Sequence, residues 1–317
     1  MSTLPPVIAS SLHPGGVRAP FPVCVAARML LIFLGGLALP AASWEEPALQ
    51  VRDDVGRQIQ IKAPVHRLVS LAPSVTETLF DLGAGDRLVG VTDLCDYPPA
   101  ARQLPRVGGM VKPDWESVVR LHPDLVVATT AGNDASLVGQ AEKVGLPIYF
   151  TDAPDLEGLL NSMVRLGDAI GSGEKGRQLR KDVESRIRRI EQTPLGARPP
   201  RVLFLVWVDP PVVPGSGTFL SDALRRAGID SVTSDAPPGW PTYDLETLLL
   251  RRPEWIVSAR QNAAALAGLT QRPGWRDLEA VSEKRVGTVS ETIERPSPRV
   301  VDAMEELRSL LRRGAAK

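Results

Sequence analysis

The feature that most constrains this chain is an internal repeat. The segment DWESVVRLHPDLVVA begins at Asp114, the segment DLETLLLRRPEWIVSA begins at Asp244, and the two align without a gap at a constant offset of 130 residues. Asp114 falls on Asp244, Glu116 on Glu246, Pro123 on Pro253, Asp124 on Glu254 and Val127 on Val257. Each copy reads as a helix capped by its Asp, a loop marked by Pro, and an apolar strand. The Glu in each first turn stands where the helix dipole favours a carboxylate. One matched Glu would say little. A whole helix–loop–strand unit repeated in register implies two lobes of related architecture, although capping and dipole alone would account for Glu116 and Glu246.

The rest of the chain follows the same grammar. RLVSLA (67–72), DRLVGVT, DLVVAT and PIYFTD are short apolar runs of buried-strand type, separated by helical segments. Ser74-Val75-Thr76-Glu77 has the pattern of a capping box, and Gly83 marks the end of the helix that follows. After the strand RVLFLVWV, a Gly-rich turn leads into a helix, and EWIVSA, KRVGTVS and a final helix complete the second half. Alternation of this kind predicts the α/β class, with parallel sheets that bind ligands at the carboxyl ends of their strands. Between the halves, residues 174–192 form a charged helix with no strand beside it. Val183, Ile187 and Ile190 are its narrow apolar stripe. The expected architecture is two α/β lobes with mostly parallel sheets, residues 44–170 and 197–317, bridged by one long helix within 171–196.

Residues 1–43 contain no Asp or Glu, and Arg28 precedes the apolar run MLLIFLGGLAL and then PAASW. A basic residue, an apolar core of about 11 residues and a small-x-small site (Ala41, Ser43) are the parts of a cleaved secretory signal peptide. The run is short for a membrane span, which takes about 20 residues. Translation from Met1 and from Met29 both fit this pattern. The expectation is a soluble protein released into a periplasm. Cys24 and His13 leave with the signal, so Cys95 has no partner for a disulfide.

The 37 basic residues match 37 acidic ones, which argues against nucleic acid as partner. With two Cys and three His there is no tetrahedral zinc pattern, and no metal site is expected. No GxSxG, Walker A loop or HExxH is present, so no catalytic residue is assigned and an α/β hydrolase or transferase is the weaker alternative. His122 matches Arg252 in the repeat, which suggests a loop role. Two lobes joined by a rod imply a cleft for a small ligand. Loop residues placed to line it are Tyr97, Gly109, Met110, Thr129, Asn133, Trp207, Trp240 in PPGWP, and Arg295 in ERPSPR. Trp115, Trp255 and Trp275 occupy helix or strand positions and read as structural.

The strings RLVSLAPSVTETLFDLGAGDRLVGVT, DYPPAA, ESVVRLHPDLVVA, RVLFLVW before DPP, GWP and RPSPR stand in one order over residues 50–315. In that order they resemble the substrate-binding proteins of ABC importers, within the vitamin B12, ferric-siderophore and haem branch and nearest its vitamin B12 binders. The resemblance implies the helical-backbone periplasmic binding protein fold and a cleft that moves little on binding. It also implies a monomer that binds a small molecule, a corrinoid or an iron chelate, without a cofactor of its own. Its partners would be an ABC permease and its ATPase. Docking in that family uses one Glu from each lobe against Arg residues of the permease, and these positions match Glu116 and Glu246. Of the family's cleft positions, Trp207, Trp240 and Arg295 keep their character. Three aromatic positions are Leu94, Met110 and Thr129 here, and an acidic one is Glu291. The same fold used as a ligand sensor, without a transporter, is a third reading.

Overall fold

Strands whose residues are apolar without alternation must be covered on both faces, and that requirement shapes the protein. The computed structural model describes residues 48–315; the segment read above as a signal peptide lies outside them. A hairpin of β1 (Ala48–Arg52) and β2 (Gln58–Lys62) comes first. It is followed by β3 (Leu68–Ser70), α1 (Pro73–Asp81), β4 (Leu88–Val91), α2 (Trp115–Arg120), β5 (Leu125–Thr129), α3 (Leu137–Lys143) and β6 (Ile148–Thr151). Two helices, α4 (Leu156–Ala169) and α5 (Gly173–Glu191), then lead to the second lobe. That lobe comprises β7 (Arg201–Leu205), α6 (Phe219–Arg226), β8 (Asp230–Ser231), α7 (Leu245–Arg251), β9 (Trp255–Ala259), α8 (Ala263–Leu269), α9 (Glu279–Ser282), β10 (Val286–Val289) and α10 (Val300–Ala315).

Each lobe has a four-stranded parallel sheet, in the orders β4-β3-β5-β6 and β10-β9-β7-β8. Counted from each lobe's first parallel strand, both run second, first, third, fourth. The central strands β5 and β9, which belong to the repeat, are buried along their whole length.

The repeat holds down to single hydrogen bonds. Asp114 accepts from the Glu116 N–H at 3.1 Å and Asp244 from the Thr247 N–H at 2.7 Å, so both helices are side-chain capped. At their far ends His122 and Arg252 both adopt the left-handed conformation, with φ of 44° and 46°. These positions turn the chain into the loop Pro. Arg67 donates to the Leu121 carbonyl at 2.7 Å, and Arg201 donates to the equivalent Arg251 carbonyl at 2.6 Å. Asp124 accepts from the Arg67 N–H, and its counterpart Glu254 from the Arg201 N–H. Side chains thus satisfy the orphan carbonyls and strand-end amides identically in both lobes.

One local expectation gives way. The Ser74–Glu77 capping box does not form. Pro73 takes the first helical position, Ala72 is the N-cap without a side-chain acceptor, and Ser74 is buried inside α1. Proline lacks an N–H and has φ preset for a helix, so the helix starts before Ser74. Glu77 then lies too deep in the helix to reach back to the cap.

The rod α5 is 19 residues long, about 28 Å at 1.5 Å per residue, and it packs antiparallel along α4. Gly167 and Gly176 face each other at this crossing. A methyl on Gly176 would stand 2.9 Å from the Met163 carbonyl oxygen. Val183, Ile187 and Ile190 are buried, with Leu156, Leu159, Leu160 and Met163 of α4, in the core of the second lobe beside Val202 and Phe204. Leu166, Ala169 and Ile170 belong instead to the core of the first lobe with Leu68, Val75 and Leu79. The helical pair therefore reaches into both hydrophobic cores.

Candidate functional site: the cleft between the lobes

The carboxyl ends of the two sheets meet across a cleft. A cavity of about 230 Å³ opens there, lined by Pro73, Ser74, Leu94, Met110 and Ala131 from the first lobe and by Gln261, Glu291, Glu294, Arg295 and Pro296 from the second. The loops beyond the strand ends carry apolar side chains that solvent reaches. Leu94 is in the cavity lining, Tyr97 and Val111 lie in the same first-lobe loop, and Trp207 (57% exposed) and Trp240 (52% exposed) lie in second-lobe loops beyond the carboxyl end of β7. Trp207 and Trp240 belong to one small system of strands. Trp207 bridges Val212, Val212 bridges Thr242, and the Val213 N–H donates to the Pro241 carbonyl at 3.0 Å. The Trp207 indole N–H is satisfied by the Asp209 carbonyl at 2.8 Å, leaving the ring faces free to pack.

A buried polar joint closes the seam beside this cavity. Glu77 is 1% exposed, on α1 of the first lobe. Its Oε1 accepts from Arg295 at 3.3 Å and Arg299 at 3.2 Å, and its Oε2 accepts from Ser297 at 2.6 Å, all from the second lobe. The Arg299 guanidinium lies 3.6 Å from the centroid of the Tyr97 ring, a cation–π contact that again crosses the lobes. A carboxylate this deep is tolerated because two guanidinium groups and a hydroxyl replace its water.

The residues singled out from sequence fall into distinct settings. Met110, Glu291 and Arg295 line the cavity, and Arg295 directs its guanidinium to Glu77 with Glu291 at 3.9 Å. Gly109 sits in the turn before Met110, with no atom crowding its Cβ position closer than 3.8 Å. Tyr97 is on the rim with Arg299 over its ring. Thr129 and Asn133 are buried with internal partners. The Asn133 Oδ1 accepts from the Thr129 N–H at 2.8 Å, and its Nδ2 donates to the Leu71 and Met110 carbonyls at 3.0 and 2.7 Å. Asn133 thus fixes the Met110 loop against the end of β3. The second lobe has a counterpart. Asn262 donates to the Val206 carbonyl at 2.9 Å, just beyond β7, and to Ser258 at 3.0 Å. Trp255 and Trp275 are buried, and Trp115 donates to Gln140 at 2.8 Å.

Glu77, Ser297, Arg299, Gln261 and Glu294 were not singled out from sequence as cleft residues. Of these, Glu294 is the most perturbed. Burial, aided by Glu291 and opposed by Arg295, pushes its carboxyl up to about 7. Glu116 and Glu246 are not among the residues that line the cavity; both are exposed, in the first turns of α2 and α7. Glu116 pairs with Arg120 at 3.2 Å; the residue at that register in α7 is Leu250, 84% exposed.

A larger cavity, about 700 Å³, lies along the edge where β6 and β8 end, lined mainly by Asp155, Ser216, Thr218, Ser221, Asp222 and Ser234. It has no aromatic lining, and Asp222 is already engaged by the Leu156 N–H and Arg225. The smaller cavity draws its lining from the loops beyond the carboxyl ends of strands in both sheets, with Tyr97 stacked on Arg299 close by, which makes it the candidate ligand site.

Comparison with known proteins agrees with this geometry. A family model described as periplasmic binding protein matches residues 68–292. The vitamin B12-binding protein of Vibrio cholerae is 27% identical over 250 residues, covering 78% of this chain and 90% of its own. An uncharacterized ABC transporter substrate-binding lipoprotein of Bacillus subtilis is 28% identical over 301 residues, covering 90% of this chain and 95% of its own. Among solved structures, a periplasmic heme-binding protein from Pseudomonas aeruginosa superposes with a TM-score of 0.69 at 27% identity, covering 78% of this chain and 93% of that one.

Proposed function

This chain belongs to the periplasmic binding protein family, and from that premise we propose that its cleft captures a corrinoid and delivers it to an ABC import permease. It is a solute-binding protein of the class that serves import of vitamin B12, haem and siderophores, and its relatives are solute-binding proteins rather than enzymes. The observation that carries the corrinoid reading is the rim. Two solvent-exposed indoles belong to one loop system beyond the carboxyl end of β7, and Leu94 and Met110 line the cavity at the carboxyl ends of both sheets. A corrin offers a broad, partly apolar face that rigid Trp rings cover at little entropic cost. The likeness to the Vibrio cholerae protein supports the same reading, while the heme-binding neighbour supports haem as the second.

Export through a cleaved signal peptide ending near Ser43 completes this reading, as does docking through Glu116 and Glu246. Both carboxylates are exposed on equivalent capped helices, so Arg forks on a permease can reach each one.

The test is a screen of cobalamin, cobinamide, haem and ferric siderophores by tryptophan quenching. The expected result is corrinoid binding that Trp240→Ala weakens by about 1–3 kcal/mol without loss of fold. Binding of haem or a siderophore, with no corrinoid bound, overturns the corrinoid reading.

A further inference from the structure

Glu294 lines the cleft cavity and carries a polar atom that the protein itself leaves unsatisfied. Among the described residues, Glu294 Oε1 is buried and has no hydrogen-bond partner, while its Oε2 accepts from Gln261 at 3.3 Å. A buried acceptor without a donor is costly and calls for an explanation. The adjacent cation does not supply one, because Arg295 donates to Glu77 across the lobes and its other terminus lies nearest Glu291. Glu291 and Glu294 both line the cavity, and the guanidinium beside them is engaged in the joint.

We propose that Glu294 is a specificity-determining residue of the cleft: it accepts a hydrogen bond from an N–H donor on the ligand's edge, and so selects a macrocycle edged with primary carboxamides over one edged with carboxylates. The inference rests on the corrinoid reading and deepens it. A primary carboxamide has two N–H hydrogens and a carbonyl. It satisfies Glu294 in either protonation state, donating to the carboxylate or accepting from the acid O–H. Burial holds this carboxyl near the middle of its titration at neutral pH, so both states matter. A ligand carboxylate has acceptors only, so it can pair with the acid form of Glu294 alone and meets the ionised form, together with Glu291, as like charges. Corrin rings are edged by amides, whereas the porphyrin of haem carries propionates.

The experiment titrates cyanocobalamin, its monocarboxylate derivatives (one peripheral propionamide hydrolysed to propionate) and haem against the wild-type protein and Glu294→Gln at about pH 8.5, above the Glu294 titration, with circular dichroism as the check on folding. Wild type should bind cyanocobalamin roughly tenfold or more tightly than at least one monocarboxylate. In Glu294→Gln, which keeps the shape and removes the charge, the gap should narrow to about threefold or less. Equal affinity of wild type for amide and carboxylate forms overturns the proposal and leaves the corrinoid reading standing. So does an unchanged gap in the folded variant. Failure of wild type to bind any corrinoid overturns the corrinoid reading itself, and haem binding in that case overturns the selectivity as well. The wild-type comparison needs no variant, so it decides the matter even if Glu294→Gln fails to fold.

Discussion

The first lobe ties the end of α2 to the start of β3 with Arg67 and Asp124, and the second ties the end of α7 to the start of β7 with Arg201 and Glu254. Away from the cleft the lobes are therefore close copies. Facing it, they diverge. The first lobe presents Leu94 and Met110 on a long loop that Asn133 fixes, while the second lines the cavity with three ionisable residues and carries two solvent-exposed Trp residues in loops beyond β7. The difference shows that a duplicated scaffold can keep its strand-end chemistry while the loops at the other end of the same strands take on recognition.

The largest test of this comparison falls on the joint, which has no counterpart within either lobe. Glu77→Ala removes the carboxylate that neutralises Arg295 and Arg299 and should lower unfolding stability by about 3–5 kcal/mol in urea titrations. A loss below about 1 kcal/mol would show that solvent already serves those guanidinium groups. Next come the paired asparagines. Asn133→Ala removes three hydrogen bonds and should cost about 2–3 kcal/mol, against about 1–2 for Asn262→Ala, which removes two. Equal costs would mean that the extra bond to the Met110 loop contributes nothing.

A smaller effect is specific to the second lobe. The Glu294 carboxyl, pushed from 4.5 up to about 7, binds its proton more tightly folded than unfolded. Its contribution favours folding below about 4.5 and is lost as pH rises towards 7. Glu294→Gln should therefore flatten the fall in stability between about pH 5 and pH 8 by about 1–2 kcal/mol, measured by thermal or urea unfolding. A profile that does not flatten would show that the carboxyl is not held protonated by its surroundings. The smallest effects on the fold should come from Glu116→Ala and Glu246→Ala, about 0.5 kcal/mol or less each because both side chains are exposed. Ligand affinity should be kept while uptake slows, more in the double variant than in either single one, and high salt should mimic part of the loss. Normal uptake by the double variant would remove these helices from the docking reading.

Much of the fold was legible because the repeat and the apolar strand runs are local patterns. The caps at Asp114 and Asp244 and the left-handed turns at His122 and Arg252 follow from that register. Glu77 was not legible as a joint, since its local pattern matches a capping box and its partners lie 218 to 222 residues away. The kinship of Asn133 and Asn262 was hidden for a different reason. Asn133 stands four residues beyond the end of β5 and Asn262 three beyond the end of β9, so the constant offset fails just there. Arg295 could be placed at the cleft from its motif, but not its direction, which depends on a buried carboxylate in the other lobe.

The glycine contact between α4 and α5 has a consequence for how the protein comes apart. Gly167 and Gly176 let two helices touch backbone to backbone, and that pair contributes side chains to both hydrophobic cores. Pulling the hairpin from one core strips apolar surface in the other, and the Glu77 joint fails with it. Neither half is then a self-sufficient cooperative unit. Residues 48–315 should therefore unfold as one body despite containing two sheets, a single transition in calorimetry being the expected result, with partial melting of a single lobe disfavoured by the very element that separates them.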